Sequence, residues 1–399
     1  MAPPDTGKAA TMTTTAQEVL PADSSRALLV GRVFDPANGG PRVCVVEGEE
    51  LVDITPLVRT VSDAMEHPDT VADSVLPGAA RYPLNDVLAA SEAGDRTQPY
   101  LLAPIDLQVV KACGVTFVGS MIERVIEEKC AGDAAKAQQV REHITAAIGG
   151  SLKGIEPGSE KAKAVKDILI EQGVWSAYLE VGIGPDPEVF TKAPVLSSVG
   201  WGAKVGIPGF SSWNNPEPEL VLIVNSKGVA VGATLGNDVN LRDVEGRSAL
   251  LLGKAKDNNA SSALGPFIRV FDEQFTPDTV ASEEIHLQVS GTDGYELHGV
   301  NSVAEISRPL ESLVSATWGA HHQYPDGFAL YTGTLFAPTQ DRDTPGGGFT
   351  HKHGDRVEIR SEHLGALVNT TGPAEALEPW NFGLRAMMDY LGEASKNAH

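Results

Sequence analysis

The chain has 399 residues, 42% hydrophobic and 21% charged, which places it in the ordinary globular range with enough length to bury a large core. Its 31 basic residues stand against 53 acidic ones, a formal net charge of −22. Such a surface repels phosphate backbones, which argues against a nucleic-acid partner, and no apolar run is long enough to span a membrane. A small anionic ligand would need a local positive centre, and a bound metal ion supplies one.

Residues 1–25 are rich in Ala, Thr, Pro and Ser and are expected to form a disordered tail. They carry no apolar signal core. Cys44, Cys113 and Cys130 are far apart with no CxxC pair, so a reducing, cytoplasmic setting is expected. ALLVGRVF and PRVCVVEGEELVDIT then read as strands around a turn at Gly39-Gly40. Residues 26–105 are expected to form a small N-terminal domain without a cluster of chemical groups. The segment 120–173 shows apolar residues at three- and four-residue spacing, broken by glycines at 132, 149 and 150, and reads as helices. From about residue 178 the period switches to two. EPELVLIVN, GVAVGATLG, EIHLQVSG, GFALYTGTLF and DRVEIRSEHLGALVN read as strands, and FGLRAMMDYLGEAS as a closing helix. Helices grouped before strands predict an α+β fold, with a catalytic domain over 106–399.

Glu217 and Glu219 lie two apart at the entry of an apolar strand, so both carboxylates share one face. Adjacent like charges there are costly unless a cation lies between them. Asp238 follows a strand-turn-strand, and an antiparallel pairing returns it to the same end of the sheet. Three carboxylates with no His or Cys suit Mg²⁺, Mn²⁺ or Ca²⁺ rather than zinc or copper. Taken alone, Glu217 and Glu219 are equally readable as exposed residues at a strand's start.

The ordered set Glu217-Pro-Glu219, Asn237-Asp238-Val-Asn-Leu-Arg242-Asp243, Lys256 and Thr332-Gly333-Thr334 resembles the pattern of the fumarylacetoacetate-hydrolase superfamily over about residues 100–399. NNPEPELVL, GNDVNLRDVEGRSALLLGKAKDNNAS and FAPTQDRDTPG are more narrowly similar to its branch that dehydrates 2-keto-3-deoxy-pentonates. The resemblance implies wrapped mixed β-sheets with a helical layer, and a metal held by Glu217, Glu219 and Asp238, Mg²⁺ by preference and Mn²⁺ as substitute. It also implies a sugar-acid substrate and a homo-oligomer, dimer or tetramer. Lys256, favoured over Lys254 by spacing, matches the family lysine near the metal. It is a catalytic candidate to polarise the substrate or take its C3 proton, with charge balance for the three carboxylates as the structural alternative. Thr334 matches the threonine that binds the substrate carboxylate.

One segment departs from the pattern. Many family hydrolases carry a His–Glu pair that activates water, and here Gly114-Val-Thr-Phe-Val-Gly-Ser120-Met-Ile-Glu123 puts Ser120 where the His would be. Glu123 is then a candidate base for a carbon-bound proton and Ser120 a candidate substrate contact, although Ser120-x-x-Glu123 also reads as a capping box opening a helix. His322 is a candidate contact for substrate hydroxyls. Arg242 and Asp243 are expected to pair behind Asp238, and Phe190 to lie in the core. The implied activity is loss of water to give 2,5-dioxopentanoate. Hydrolysis of an acylpyruvate or 2,4-diketo acid and non-catalytic sugar-acid binding are the alternatives. The 120–173 helices serve either as a docked layer or as a closing lid.

Overall fold

The computed structural model describes residues 14–72, 77–148, 152 and 154–396. Residues 1–13 of the expected tail, and Gly149 and Gly150, lie outside them. The rest of the tail is ordered. Ala16–Val19 is a short helix started by a Thr15–Glu18 capping box, and Ala16 and Val19 are buried.

The site depends on seven strands of the larger sheet: β1 (Leu29–Asp35), β2 (Val109–Gly114), β3 (Glu188–Ala193), β4 (Pro218–Val224), β5 (Ala230–Asp238), β6 (Ser262–Val270) and β7 (Phe328–Tyr331). Their order is β1-β6-β5-β4-β7-β2-β3, antiparallel except for the parallel pair β7–β2. The strands of segment 26–105 extend this sheet through β1, which pairs with β6. The boundary drawn at residue 105 is therefore not an edge of the sheet.

A second, five-stranded sheet spans residues 204–207, 284–302 and 356–373. Its alternating apolar residues, Ile285, Leu287, Val289, Val357 and Ile359, pack with Leu222, Leu235 and Phe267 of the larger sheet in one core. Val221, Ile223, Leu264 and Ile268 point to the opposite face, under the helices of residues 61–72. With both faces covered, β4 is buried along its whole length, as its unbroken apolar run requires.

The helical layer consists of α1 (Val118–Lys129), α2 (Ala134–Ile148), α3 (Glu160–Glu171) and α4 (Ala177–Ile183), held by a separate cluster that includes Met121, Val125, Leu169 and Leu179. Helix α1 is followed by Gly132 at φ +75°, where a Cβ would lie 2.5 Å from the Asp243 carbonyl oxygen. Only glycine fits that close, left-handed approach. The layer is thereby fixed beside two short helices, α5 (Arg242–Glu245) and α6 (Leu252–Lys256). Among the described residues, no helix is long and apolar enough to cross a membrane.

Candidate metal centre

The antiparallel pairing of β4 with β5 sets Glu219 opposite Gly236, and the Asp238 amide donates to the Glu217 carbonyl at 3.0 Å. Glu217, Glu219 and Asp238 therefore meet at one end of the hairpin. One oxygen from each lies within 4.8 Å of the others, and all three residues are buried. Lys256, at the end of α6, pairs with Glu217 and reaches Asp238 at 3.0 Å. Lys254 lies over the Phe210 ring instead, so the choice between the two lysines falls on Lys256. Lys192 of β3, fully buried, lies 2.8 Å from Asp238 Oδ1 and donates to the Lys256 carbonyl. Gly333 donates its amide to Glu219 at 2.7 Å. Its φ is +103°, and a Cβ there would sit 2.0 Å from Thr116 Oγ1, so the central residue of Thr-Gly-Thr must be glycine.

Glu217, Glu219, Asp238 and Lys256 line a small cavity together with Cys113, Gly114, Val115, Ser120, Arg124, Glu188, Phe190, Glu245 and Thr334. The cavity has a volume of about 10 Å³, room for about one water, so a sugar acid enters only if a wall moves. Ser120 and Thr334 meet there as expected. The Ser120 hydroxyl donates to the Phe117 carbonyl at 2.8 Å, and that of Thr334 to the Phe336 carbonyl at 3.1 Å. The capping box does not form, because α1 begins at Val118 with Phe117 as its N-cap.

Two expected residues are not brought to the cavity. Glu123 forms a bidentate pair with Arg141 of α2, at 2.8 and 3.0 Å, and does not line it. His322 is exposed and packs edge-on to Tyr324, 4.6 Å between ring centroids. Arg242 and Asp243 also part company. Arg242 binds Glu127 of α1 at 2.9 Å, while Asp243 accepts from Ser211 and the Ser212 amide. Glu188 and Phe190, both on β3, line the cavity, and Phe190 also packs against the core as expected. Alternate placement of Glu188, Phe190 and Lys192 along a short strand was the available signal, since period two puts all three on one face.

The electrostatics are those of crowded carboxylates. Burial, then Asp238 and Glu217, push the Glu219 carboxyl well above its usual value. Burial also pushes Asp238 up, but Lys192 and Lys256 more than reverse this, leaving it lowered. Burial, with Glu245 adding, takes Glu188 up to about 7. The charged groups in and behind the cavity are Glu127, Glu188, Glu217, Glu219, Asp238 and Glu245 against Arg124, Lys192, Arg242 and Lys256. With all six carboxylates ionised, the four cations leave two negative charges, the charge one divalent ion would neutralise; without such an ion the raised Glu219 and Glu188 carboxyls favour their protonated forms. An all-oxygen donor set of this size suits a hard divalent cation. The residues present fit such an ion.

A family profile described as fumarylacetoacetate (FAA) hydrolase C-terminal matches residues 171–371. A Haloferax volcanii protein named probable 2-keto-3-deoxyxylonate dehydratase is 33% identical over 205 residues, covering 50% of this chain and 65% of its own length. A Saccharolobus solfataricus protein named 2-dehydro-3-deoxy-D-arabinonate dehydratase is 30% identical over 182 residues, 46% of this chain and 57% of its own length. The match thus spans less than two thirds of either relative. A solved structure of 2-keto-3-deoxy-D-arabinonate dehydratase, complexed with magnesium and 2,5-dioxopentanoate, shares the fold. Its TM-score is 0.61 at 21% identity, covering 87% of this chain and 99% of that one.

Proposed function

The chain belongs to the fumarylacetoacetate hydrolase family, and we propose that within it the chain dehydrates a 2-keto-3-deoxy-pentonate to 2,5-dioxopentanoate, as a carbon–oxygen lyase. The observation that carries this reading is the buried triad Glu217, Glu219 and Asp238, with an acid and a base, Lys256 and Glu188, facing the same cavity. The triad would hold a divalent ion, Mg²⁺ or Mn²⁺. When bound, the ion supplies Lewis-acid polarisation of a 2-keto acid.

The protein groups divide the remaining work. Thr334 and Ser120 line the cavity and orient the substrate's carboxylate and hydroxyl groups, the carboxylate by redirecting a hydroxyl proton now given to the Phe336 or Phe117 carbonyl. Glu188 takes the C3 proton; its burial, with the Glu245 charge adding, favours the neutral product of that step. Lys256 gives a proton to the departing C4 hydroxyl, which leaves as water. Tautomerisation of the resulting unsaturated keto acid then gives the 2,5-dioxo acid. Phe190 and Val115 limit the water around these groups. A role for Glu123 in this chemistry requires it to leave Arg141 and enter the cavity.

Among the described residues, no histidine lines the cavity. This weighs against hydrolysis of acylpyruvates, which relies on an activated water. The test is an assay with added Mg²⁺, and with EDTA as control, on 2-keto-3-deoxy-pentonates and on acylpyruvates. Loss of one water from the first class supports the lyase; cleavage of the second class alone rejects it. The homo-oligomer expected from the resemblance is checked by sedimentation, and a single monomeric species counts against it.

A further inference from the structure

Helix α1 carries an ionic fork that the proposed chemistry leaves unused. The Arg124 guanidinium meets the Glu217 carboxylate through one terminal nitrogen. Its other terminal nitrogen lies 2.5 Å from Glu127 and 3.1 Å from Glu245. The side chains of all three glutamates are at most 3% exposed. Glu127 is held in turn by Arg242 at 2.9 Å, and Arg242 donates to the Pro338 carbonyl at 2.9 Å. Arg124 also lies outside residues 171–371, the stretch matched by the family profile.

We infer that Arg124 is the positioning residue of the candidate ligand Glu217, fixed in place by Glu127 and Glu245. This inference rests on the metal reading above. A guanidinium is planar and presents its donors in a fixed fork, so two pinned contacts determine where the third one points. Glu127 and Glu245 supply the pins, from a helix of the outer layer and from α5. The remaining arm fixes the rotamer of Glu217, whose two oxygens are claimed by different cations, Arg124 and Lys256, as those of Asp238 are by Lys192 and Lys256. Glu219 instead has a backbone amide to orient it. The geometry of the metal ligands is therefore set partly by the helical layer, and a change in α1 reaches the metal through one side chain.

Two charge-preserving substitutions separate positioning from simple neutralisation. Arg124→Lys keeps the positive charge but replaces the rigid planar fork with a compact ammonium whose three donors rotate freely, so contacts to Glu127 and Glu245 no longer fix the direction of the one to Glu217. Glu127→Asp keeps the negative charge and withdraws one pin by a methylene. The measurement is Mn²⁺ binding by isothermal titration calorimetry, with the Mn²⁺ electron paramagnetic resonance line shape as readout of ligand geometry. We expect Arg124→Lys to bind Mn²⁺ about 10- to 100-fold more weakly, and Glu127→Asp to weaken it in the same direction by less, as disturbed supporting partners of a metal site generally do. Both variants should alter the line shape. Affinities and line shapes equal to the parent's in both overturn the inference, because neutralisation alone is then sufficient. Should Arg124→Lys fail to fold, Glu127→Asp decides by the same criterion. A parent that binds no Mn²⁺ overturns the metal reading and this inference together, and that result is seen before any variant is made.

Discussion

Replacing Glu219 with Gln should stabilise the metal-free protein and weaken the metal-bound one, so that the order of stability reverses on adding metal. One oxygen from each of Glu217, Glu219 and Asp238 lies within 4.8 Å of the others. At an effective dielectric of about 20, unit charges at this separation repel by about 3 kcal/mol, and Glu219 has two such neighbours. Lys256 and Lys192 offset part of this through Glu217 and Asp238, and proton uptake by Glu219 offsets more. We expect roughly 1–3 kcal/mol to remain and to be recovered by the neutral amide. Gln keeps the carbonyl oxygen that accepts from Gly333, so the backbone contact survives. The pH dependence has a definite sign. Glu219 is raised on folding, so the folded state binds the extra proton. The parent therefore loses stability as pH rises from the unfolded value of about 4.3 towards the raised one. The variant lacks that limb, and its advantage in EDTA widens with pH. Metal at about 100 times its Kd adds about 2.7 kcal/mol to the parent, and the variant keeps only a fraction of it. Thermal melting in EDTA and in Mg²⁺ across a pH series measures all of this. A variant that melts below the parent in EDTA, or that gains as much from Mg²⁺, refutes the reasoning.

Glu188→Gln should lower kcat by about 10²- to 10⁴-fold, the range for loss of a general base, while Mn²⁺ still binds. Glu123→Gln should leave kcat near the parent's; steady-state kinetics showing the reverse pattern would return the base to Glu123. Asp355, buried but held down to about 2 by Arg342, His351 and the Lys352 amide, should contribute stability that is complete above about pH 4 and lost as pH falls towards about 2. Asp355→Asn leaves Arg342 and His351 without their partner, so urea unfolding at neutral pH should show a loss of about 3–5 kcal/mol and a flattened acid limb.

The candidate metal ligands were legible because local rules suffice for them. A Glu-x-Glu at the entry of an apolar strand and an Asp at the end of the returning strand need only period two and one hairpin to meet. Glycine and alternation likewise marked most of β4 to β7. The pairing of β1 with β6 was not legible, because partners so far apart in sequence leave no local trace, and a small separate domain was the simpler reading. Glu123 was singled out because its position in a family motif indicated it, and nothing in the sequence pointed to Glu127 or Arg124. Amphipathic periodicity assigns charged residues to a solvated face, and it cannot say that α5 and the metal ligands cover the face carrying Arg124 and Glu127. His322 seemed useful as a polar residue before a turn, but the packing of Tyr324 and Phe328 holds that turn at the surface.

The charge imbalance of the cavity leads to a last prediction, about protons. Six carboxylates face four cations, and the protein without metal can hold so many negative charges only by keeping some of them protonated. Glu219 is raised well above its usual value and Glu188 to about 7, each chiefly by burial. An ion bound by Glu217, Glu219 and Asp238 reverses the condition that holds those protons, since a ligand carboxylate must be ionised. Metal binding at neutral pH should therefore release about one proton per ion, mainly from Glu219. Titration calorimetry in buffers of different ionisation enthalpy reads this number directly, as the slope of observed heat against buffer heat. The slope should fall as pH rises, because less of Glu219 is protonated at the start, and Glu219→Gln should abolish most of it. Equal heats in phosphate and Tris would mean that the triad is already fully ionised before metal arrives. The buried lysines and arginines alone would then balance it, and the crowding of carboxylates would carry no energy for the ion to relieve.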